Sequence, residues 1–472
     1  MAVPSTSSLT RDQKLAQLKR FFEDTPPVGS LLSTLRSRRI ARGYSVDSGK
    51  PEVRTSSGNT VLQDQSPLTF VSEHETLPLT DVEEALLAWS ACGPNGLVHW
   101  DIAVHGGFHE LTWIAGRTMA TPGNSHSTDL LIVNDNGVFI YKPDQEREAI
   151  VEIRGESDYD KVLRWYDQYT TRVLDHRPNF DYGTRIPGCP NASIAGPYQY
   201  NLNREGTTWY MPLLDVGYLY FSILLNFFDA WHLALVDDQT GEPAGVGPWM
   251  GEGKLEFPVT ISQYELFMFQ EEQYPTGLAT QNLRLAAECM GLGNWIFGGY
   301  FDDVLMGAFP QVTPGLGFRH AELNPKAPLA SGALKTFGVE GVKEGMYVPG
   351  PRYGNGTEVI DQMLADKYSK GMTLSPNEED NYLLTHGGPF KPEVAREIIN
   401  AAEVQVSDWA REAAIAYVDY CVERFGQCPV YFNPLQCNMA TVVHHVDEAF
   451  YEQFYSGSTS TPQLRDHMHH WH

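Results

Sequence analysis

The chain has 472 residues, 42% of them hydrophobic and 12% aromatic: enough for a substantial core and too many for one ordinary domain. Its 34 Lys and Arg against 59 Asp and Glu leave a formal charge of −25, which argues against nucleic acid or an anionic membrane as the main partner. Six cysteines at this length make no disulfide framework, and Met1–Ser8 carries no charged-then-apolar leader, so the expectation is a cytoplasmic protein with reduced thiols.

In chain order, residues 1–30 read as a helical lead-in, Arg11–Phe22, stopped by Pro26-Pro27. A polar stretch follows, holding the basic cluster Arg36–Arg42. The spacing of Val82, Ala85, Leu86 and Trp89 predicts a helix over Thr80–Cys92 that ends at Gly93-Pro94. Leu130–Val133 and Val138–Tyr141 read as two strands joined at Asn136-Gly137. Helical segments are expected at about 157–174 and 213–236. The most apolar stretch, Met211–Val236, is interrupted by Asp215, Asn226, Asp229 and His232 and reads as a buried aromatic helix rather than a membrane span. After the Gly- and Pro-rich loop Asp237–Gly253 and the segment Ile261–Glu272, a helix is expected over 277–290. Thr276 is its N-cap, Gly291 its stop, and Ala279, Leu283, Ala286, Ala287 and Met290 form one small apolar face. Ile296 and Phe297 begin a buried strand. From about 325 the chain turns rich in Gly and Pro, then charged and helix-prone to Arg424, and then mixed in Cys, Pro, aromatics and His over Phe425–Tyr455.

Three groups of residues could carry chemistry. Arg38, Arg39 and Arg42 place guanidinium groups three or four residues apart, a spacing that holds a phosphate or serves as a solvated basic helix start. The loop Gly116–His126 ends in Gly123-Asn124-Ser125 and offers donors to a planar heteroaromatic edge, or is a plain turn. Near the C-terminus Cys437, His444 and His445, with Cys421, Cys428 and Asp447, include zinc-type ligands. Their spacing matches no finger, so the expectation is histidines lining an interface and no metal. There is no strand-borne GxGxxG, no GxxxxGK[ST], no HExxH and no GxSxG, which disfavours a Rossmann dehydrogenase, P-loop NTPase, zincin or serine hydrolase.

Taken in order over roughly residues 30–320, Arg38–Tyr44, Gly116–His126 with Gly137–Pro143, and Thr276–Gly299 resemble the three signatures of the nitroreductase-like FMN flavoproteins, and most of all the SagB-type branch. The resemblance implies an α+β fold with a central antiparallel sheet flanked by helices and an additional helical C-terminal region. It divides the chain into the lead-in 1–30, an FMN-binding domain 31–324 with an insertion at about 150–260, and an extension 325–472 acting as lid or dimer interface. By the same resemblance Arg38, with Arg39 beside it, meets the FMN phosphate and Arg42 the N1/O2 edge; Ile40 stands where the family has serine. Arg117, Thr118, Gly123, Asn124 and Ser125 form a second wall, Thr276, Gly277 and Gly293 a third, and Arg319 a further phosphate contact. The implied activity is ping-pong hydride transfer from NADH or NADPH through FMN to a small organic acceptor, in a homodimer, with His126 and Tyr44 as candidate acid or base. The alternatives are an FMN-sequestering protein with little turnover and a SagB-like azoline dehydrogenase acting on a peptide.

Overall fold

The computed structural model describes residues 9–24, 52–54, 60–62, 72–97, 115–122, 125–143, 152–178, 205–298, 300, 302–310, 315–322, 334–345, 348–350, 352–368, 377–379, 381, 384, 391–400, 406–456 and 462–471. The architecture is mixed helix and antiparallel sheet, which agrees with the expected α+β class.

The central sheet holds seven strands: β1 (Thr128–Asn134), β2 (Gly137–Tyr141), β3 (Thr170–Leu174), β4 (Thr208–Asp215), β5 (Gly293–Phe297), β6 (Leu435–Gln436) and β7 (Ala440–His444). They lie in the order β5-β7-β4-β1-β2-β3, with β6 also paired to β4, and every pairing is antiparallel. The predicted hairpin is present as β1 and β2, with Asn134 opposite Gly137. Strand 440–444, from the region read as an extension, is an interior strand between β5 and β4. Strand 208–215, from the region read as an insertion, lies between β7 and β1. Pro212 has no N–H to donate, and it falls in the gap on β4 that neither β6 nor β7 pairs with.

The helices used below are α1 (Arg11–Asp24), α2 (Asp81–Cys92), α3 (Asp160–Tyr169), α4 (Gly217–Asp229), α5 (Ile261–Met290), α6 (Gly356–Lys367), α7 (Asp408–Phe425) and α8 (Pro462–Trp471). The apolar stretch 211–236 is buried as expected, but as strand, helix and strand rather than one helix. Likewise 157–174 divides into α3 and the strand β3.

Both faces of the sheet are covered, so successive residues of β1 are all buried. Leu130 and Ile132 join Phe139, Tyr141, Tyr210 and Val443 against α2, α3 and the C-terminal half of α5. Leu131 and Val133 join Trp209, Met211, Trp295 and Val442 on the opposite face, covered by Leu305, Met306, Leu316 and Phe318. A second core is helical, with α4, α6, α7 and Ile261, Tyr264 and Met268 of α5.

Helix α5 therefore serves two cores. Its 30 residues give a rod of about 45 Å. The first half packs into the helical core, and Ala279, Leu283, Ala286, Ala287 and Met290 pack under the sheet. That apolar face is the one the spacing predicts. Its start is not. The helix begins at Ile261 behind a capping box in which Thr260 Oγ1 accepts from Gln263 N and Gln263 Oε1 accepts from Thr260 N. Thr276 is thus an interior residue, fifteen positions past the first residue of the helix, and Pro275 lies inside the helix rather than before it. Pro275 has no N–H for the Glu271 carbonyl, so the bonding ladder is broken once, just ahead of Thr276. The predicted stop holds: Gly291 adopts φ +83°, and a Cβ there would lie 2.2 Å from Gln463 O of α8.

Candidate functional site

The place where the two halves of α5 meet is polar and buried. Glu272 and Thr276 lie one turn apart on the inward face between the two cores, and both are buried. Thr280, the next turn on, donates from its hydroxyl to Thr276 O at 2.8 Å. Opposite them runs the loop that leads into β1. Ser127 Oγ donates to Glu272 Oε2 at 2.6 Å, and Asn282 Nδ2 donates to Thr118 O at 3.0 Å. The Asn282 bond ties the predicted 117–125 wall to the 276–293 segment, and the Ser127–Glu272 bond lies just outside both.

Burial pushes the Glu272 carboxyl up to about 8; the Ser127 hydrogen bond works against this, and the negative charge of Asp215 adds to it. At neutral pH Glu272 is therefore held mainly as the neutral acid. Its Oε1 and the Thr276 hydroxyl are buried with no hydrogen-bond partner among the described residues. At the N-terminal end of β1 and the C-terminal end of β4, buried Lys343 bridges Asp129 at 2.8 Å and Asp215 at 2.9 Å. Burial alone would lower the lysine's pKa, but the two carboxylates outweigh it and raise it. His126 is buried beside this loop with φ +50°, a backbone conformation uncommon outside glycine.

Other predicted residues are occupied elsewhere. Arg117 Nη2 donates to Pro143 O at 2.5 Å, and Thr118 Oγ1 donates to Trp89 O at 2.9 Å. Ser125 is buried, and its N–H caps the turn at Pro122 O. Arg319 lies in a separate three-stranded sheet and is ion-paired with Glu344, and with Glu340 at 3.7 Å. The backbone N–H groups of Thr276 and Gly277 are not at a helix start, so the expected first-turn donors are not available there as predicted. Gly277 is exposed, and a Cβ on it would meet nothing within 4 Å. Gly293 is explained by packing: a Cβ would lie 2.4 Å from both His444 Cε1 and Val446 Cγ2. Arg38, Arg39, Arg42, Tyr44, Gly123 and Asn124 lie outside the described residues.

Of the C-terminal candidates, Cys437 is buried among apolar side chains, and its thiol is pushed well up by that burial. His444 Nδ1 donates to His445 O at 2.7 Å, and His445 Nε2 faces Glu83. The site residues that sequence reasoning missed are Glu272, Ser127 and Lys343. Each reads as an ordinary surface residue in the sequence, and no local pattern marks it as buried.

No family model and no curated protein matches the chain. Among solved structures, a candidate nitroreductase from Ralstonia eutropha JMP134 aligns with it at 11% identity, over 56% of this chain and 83% of its own, with a TM-score of 0.23. A superposition that loose carries no argument about fold or activity.

Proposed function

We propose that the protein is an FMN-dependent oxidoreductase of the nitroreductase type, acting on a small organic molecule. The observation that carries this reading is the junction on α5, where Asn282 bonds Thr118 and so joins two separated signature segments, beside the buried Ser127–Glu272 pair. The fit to FMN is uneven along the molecule. At the ring end, Glu272 Oε1 and Thr276 Oγ1 are buried polar atoms of the kind that a flavin's heteroatom edge would satisfy. At the phosphate end, Arg117 and Arg319 are engaged by Pro143 and Glu344, so Arg38, Arg39 and Arg42 are the residues left to hold the anion. FMN, when bound, would supply the hydride and electron chemistry, with NADH or NADPH as donor. What this chain adds is position, exclusion of water, and a neutral carboxylic acid at Glu272 able to hold or give a proton at neutral pH. Leu266, Phe269, Tyr274 and Leu278 stand exposed along the outer side of α5, which favours a second copy of the chain as the partner there.

The test is direct. Purified protein reconstituted with FMN should be yellow and release FMN fluorescence on heating, and Arg42→Ala should retain at least about tenfold less flavin. A protein that stays colourless after reconstitution ends the proposal, and unchanged flavin affinity in Arg42→Ala removes the arginine from it. Oxidation of NADPH or NADH with a quinone or nitroaromatic acceptor then separates an oxidoreductase from a flavin-sequestering protein. Reaction with a heterocyclised peptide and not with NAD(P)H would assign the azoline dehydrogenase reading instead.

A further inference from the structure

Away from the α5 junction, three residues distant in sequence bring metal-type ligand atoms together: Glu83 of α2, His445 just after β7, and His467 of α8. The ligand atoms lie within 4.8 Å of one another, and all three residues are buried. We propose that they form a structural site for a single divalent transition ion of the zinc class, which ties the C-terminal helix to the body of the protein.

The donor arrangement is specific. Glu83 occupies the third position of α2, and its Oε2 accepts from Thr80 N at 2.7 Å and from Thr80 Oγ1 at 3.1 Å in the capping box. Its other oxygen, Oε1, lies 3.3 Å from His445 Nε2 and 3.1 Å from His467 Nε2. Each imidazole is also fixed from behind. His445 Nδ1 lies 2.8 Å from Leu77 O, and His467 Nδ1 lies 2.6 Å from Met290 O. A carbonyl oxygen only accepts, so both Nδ1 atoms carry the hydrogen and both Nε2 atoms are turned toward the carboxylate. A backbone carbonyl behind each ring is the outer-shell support that orients histidine on a metal.

The spacing agrees with that chemistry. Nitrogen and oxygen ligands about 2.0–2.1 Å from one tetrahedral ion are about 3.3 Å apart, close to the two Nε2–Oε1 separations. Two imidazoles and one carboxylate are a zinc-type donor set, and such a set leaves one position for water. The rings of His445 and His467 stand 5.1 Å apart between centroids and tilted by 39°, so both reach one point without stacking. Burial on all sides favours a structural role over turnover. The ion would join the start of α2, the exit of strand β7 in the central sheet, and α8 where it crosses the end of α5 at Gly291. The inference does not depend on the flavin reading.

The experiment uses the full chain, stripped with EDTA and then equilibrated with zinc chloride, followed by gel filtration and metal analysis. One zinc per chain is expected to remain. Cobalt in its place should give the intense visible bands of a tetrahedral nitrogen and oxygen site. Glu83→Gln keeps the capping box, because glutamine serves at that position, and removes the anionic ligand. It and His467→Gln should each weaken zinc binding by more than the roughly 10–100-fold that loss of an outer-shell partner costs. The variant with His469→Ala, His470→Ala and His472→Ala should bind as wild type. The proposal is overturned if the wild-type protein keeps no zinc, leaving a hydrogen-bonded triad only. Zinc that survives both Gln variants and is lost from the triple alanine variant also overturns it, because the tail histidines would then be the ligands.

Discussion

Glu272 is a carboxylic acid kept from water between two cores, and its cost is visible in pH. Unfolded, it ionises near its ordinary 4.5; folded, near about 8. The folded state therefore binds this proton more tightly, and the contribution is fully present below about pH 4.5 and lost as pH rises to about 8. Stability measured by urea unfolding should fall across that window by about 1.4 kcal/mol per pH unit for each such proton. Glu272→Gln should remove one proton's share of the slope, while Glu84 and Glu265, both pushed up to about 7 by burial, retain theirs. An unchanged slope in Glu272→Gln would mean that the carboxyl ionises normally. Lys343 poses the opposite problem, since it is the cation between Asp129 and Asp215. Lys343→Met leaves two buried carboxylates facing each other and should cost about 3–5 kcal/mol in the same unfolding experiment. A loss under about 1 kcal/mol would show that water reaches the pair.

At the scale of elements, α5 is the organising piece, and its two candidate starts can be told apart. Thr260→Ala removes a side-chain cap from Gln263 N and should cost about 1 kcal/mol. Thr276→Val replaces a buried hydroxyl that has no partner among the described residues and should be near neutral in the flavin-free protein. The reverse ranking in thermal melts would place the helix start at Thr276 after all. Where signals were local, they were legible. Thr80 and Glu83 form the capping box at the start of α2, and Gly291 closes α5 in the left-handed conformation. Thr276 misled because threonine is a common N-cap residue. What overrode it is the stronger capping box at Thr260–Gln263 and burial on both sides of the break.

For the whole molecule, the decisive fact is that late chain completes early chain. Strand β7 pairs with both β5 and β4, and β6 pairs with the end of β4 at Asp215. A chain ending at residue 434 would expose both edges of a broken sheet, together with Trp209, Met211 and Trp295. Such a truncation should fail to give soluble protein with wild-type far-ultraviolet circular dichroism. A soluble, cooperatively melting product would instead mark everything after residue 434 as an accessory part.

The sequence by itself determined the β1–β2 hairpin, helix α2, the stop of α5 and its apolar face. Each depends on residues within a few positions of one another: alternation, helical spacing, caps and turns. Only the tertiary structure decided which strand lies at the centre of the sheet, that Glu272 is buried beside Ser127, and that Glu83, His445 and His467 converge. These depend on burial and on contacts across up to 384 positions, from Glu83 to His467, a separation at which no local pattern of residue types carries a signal.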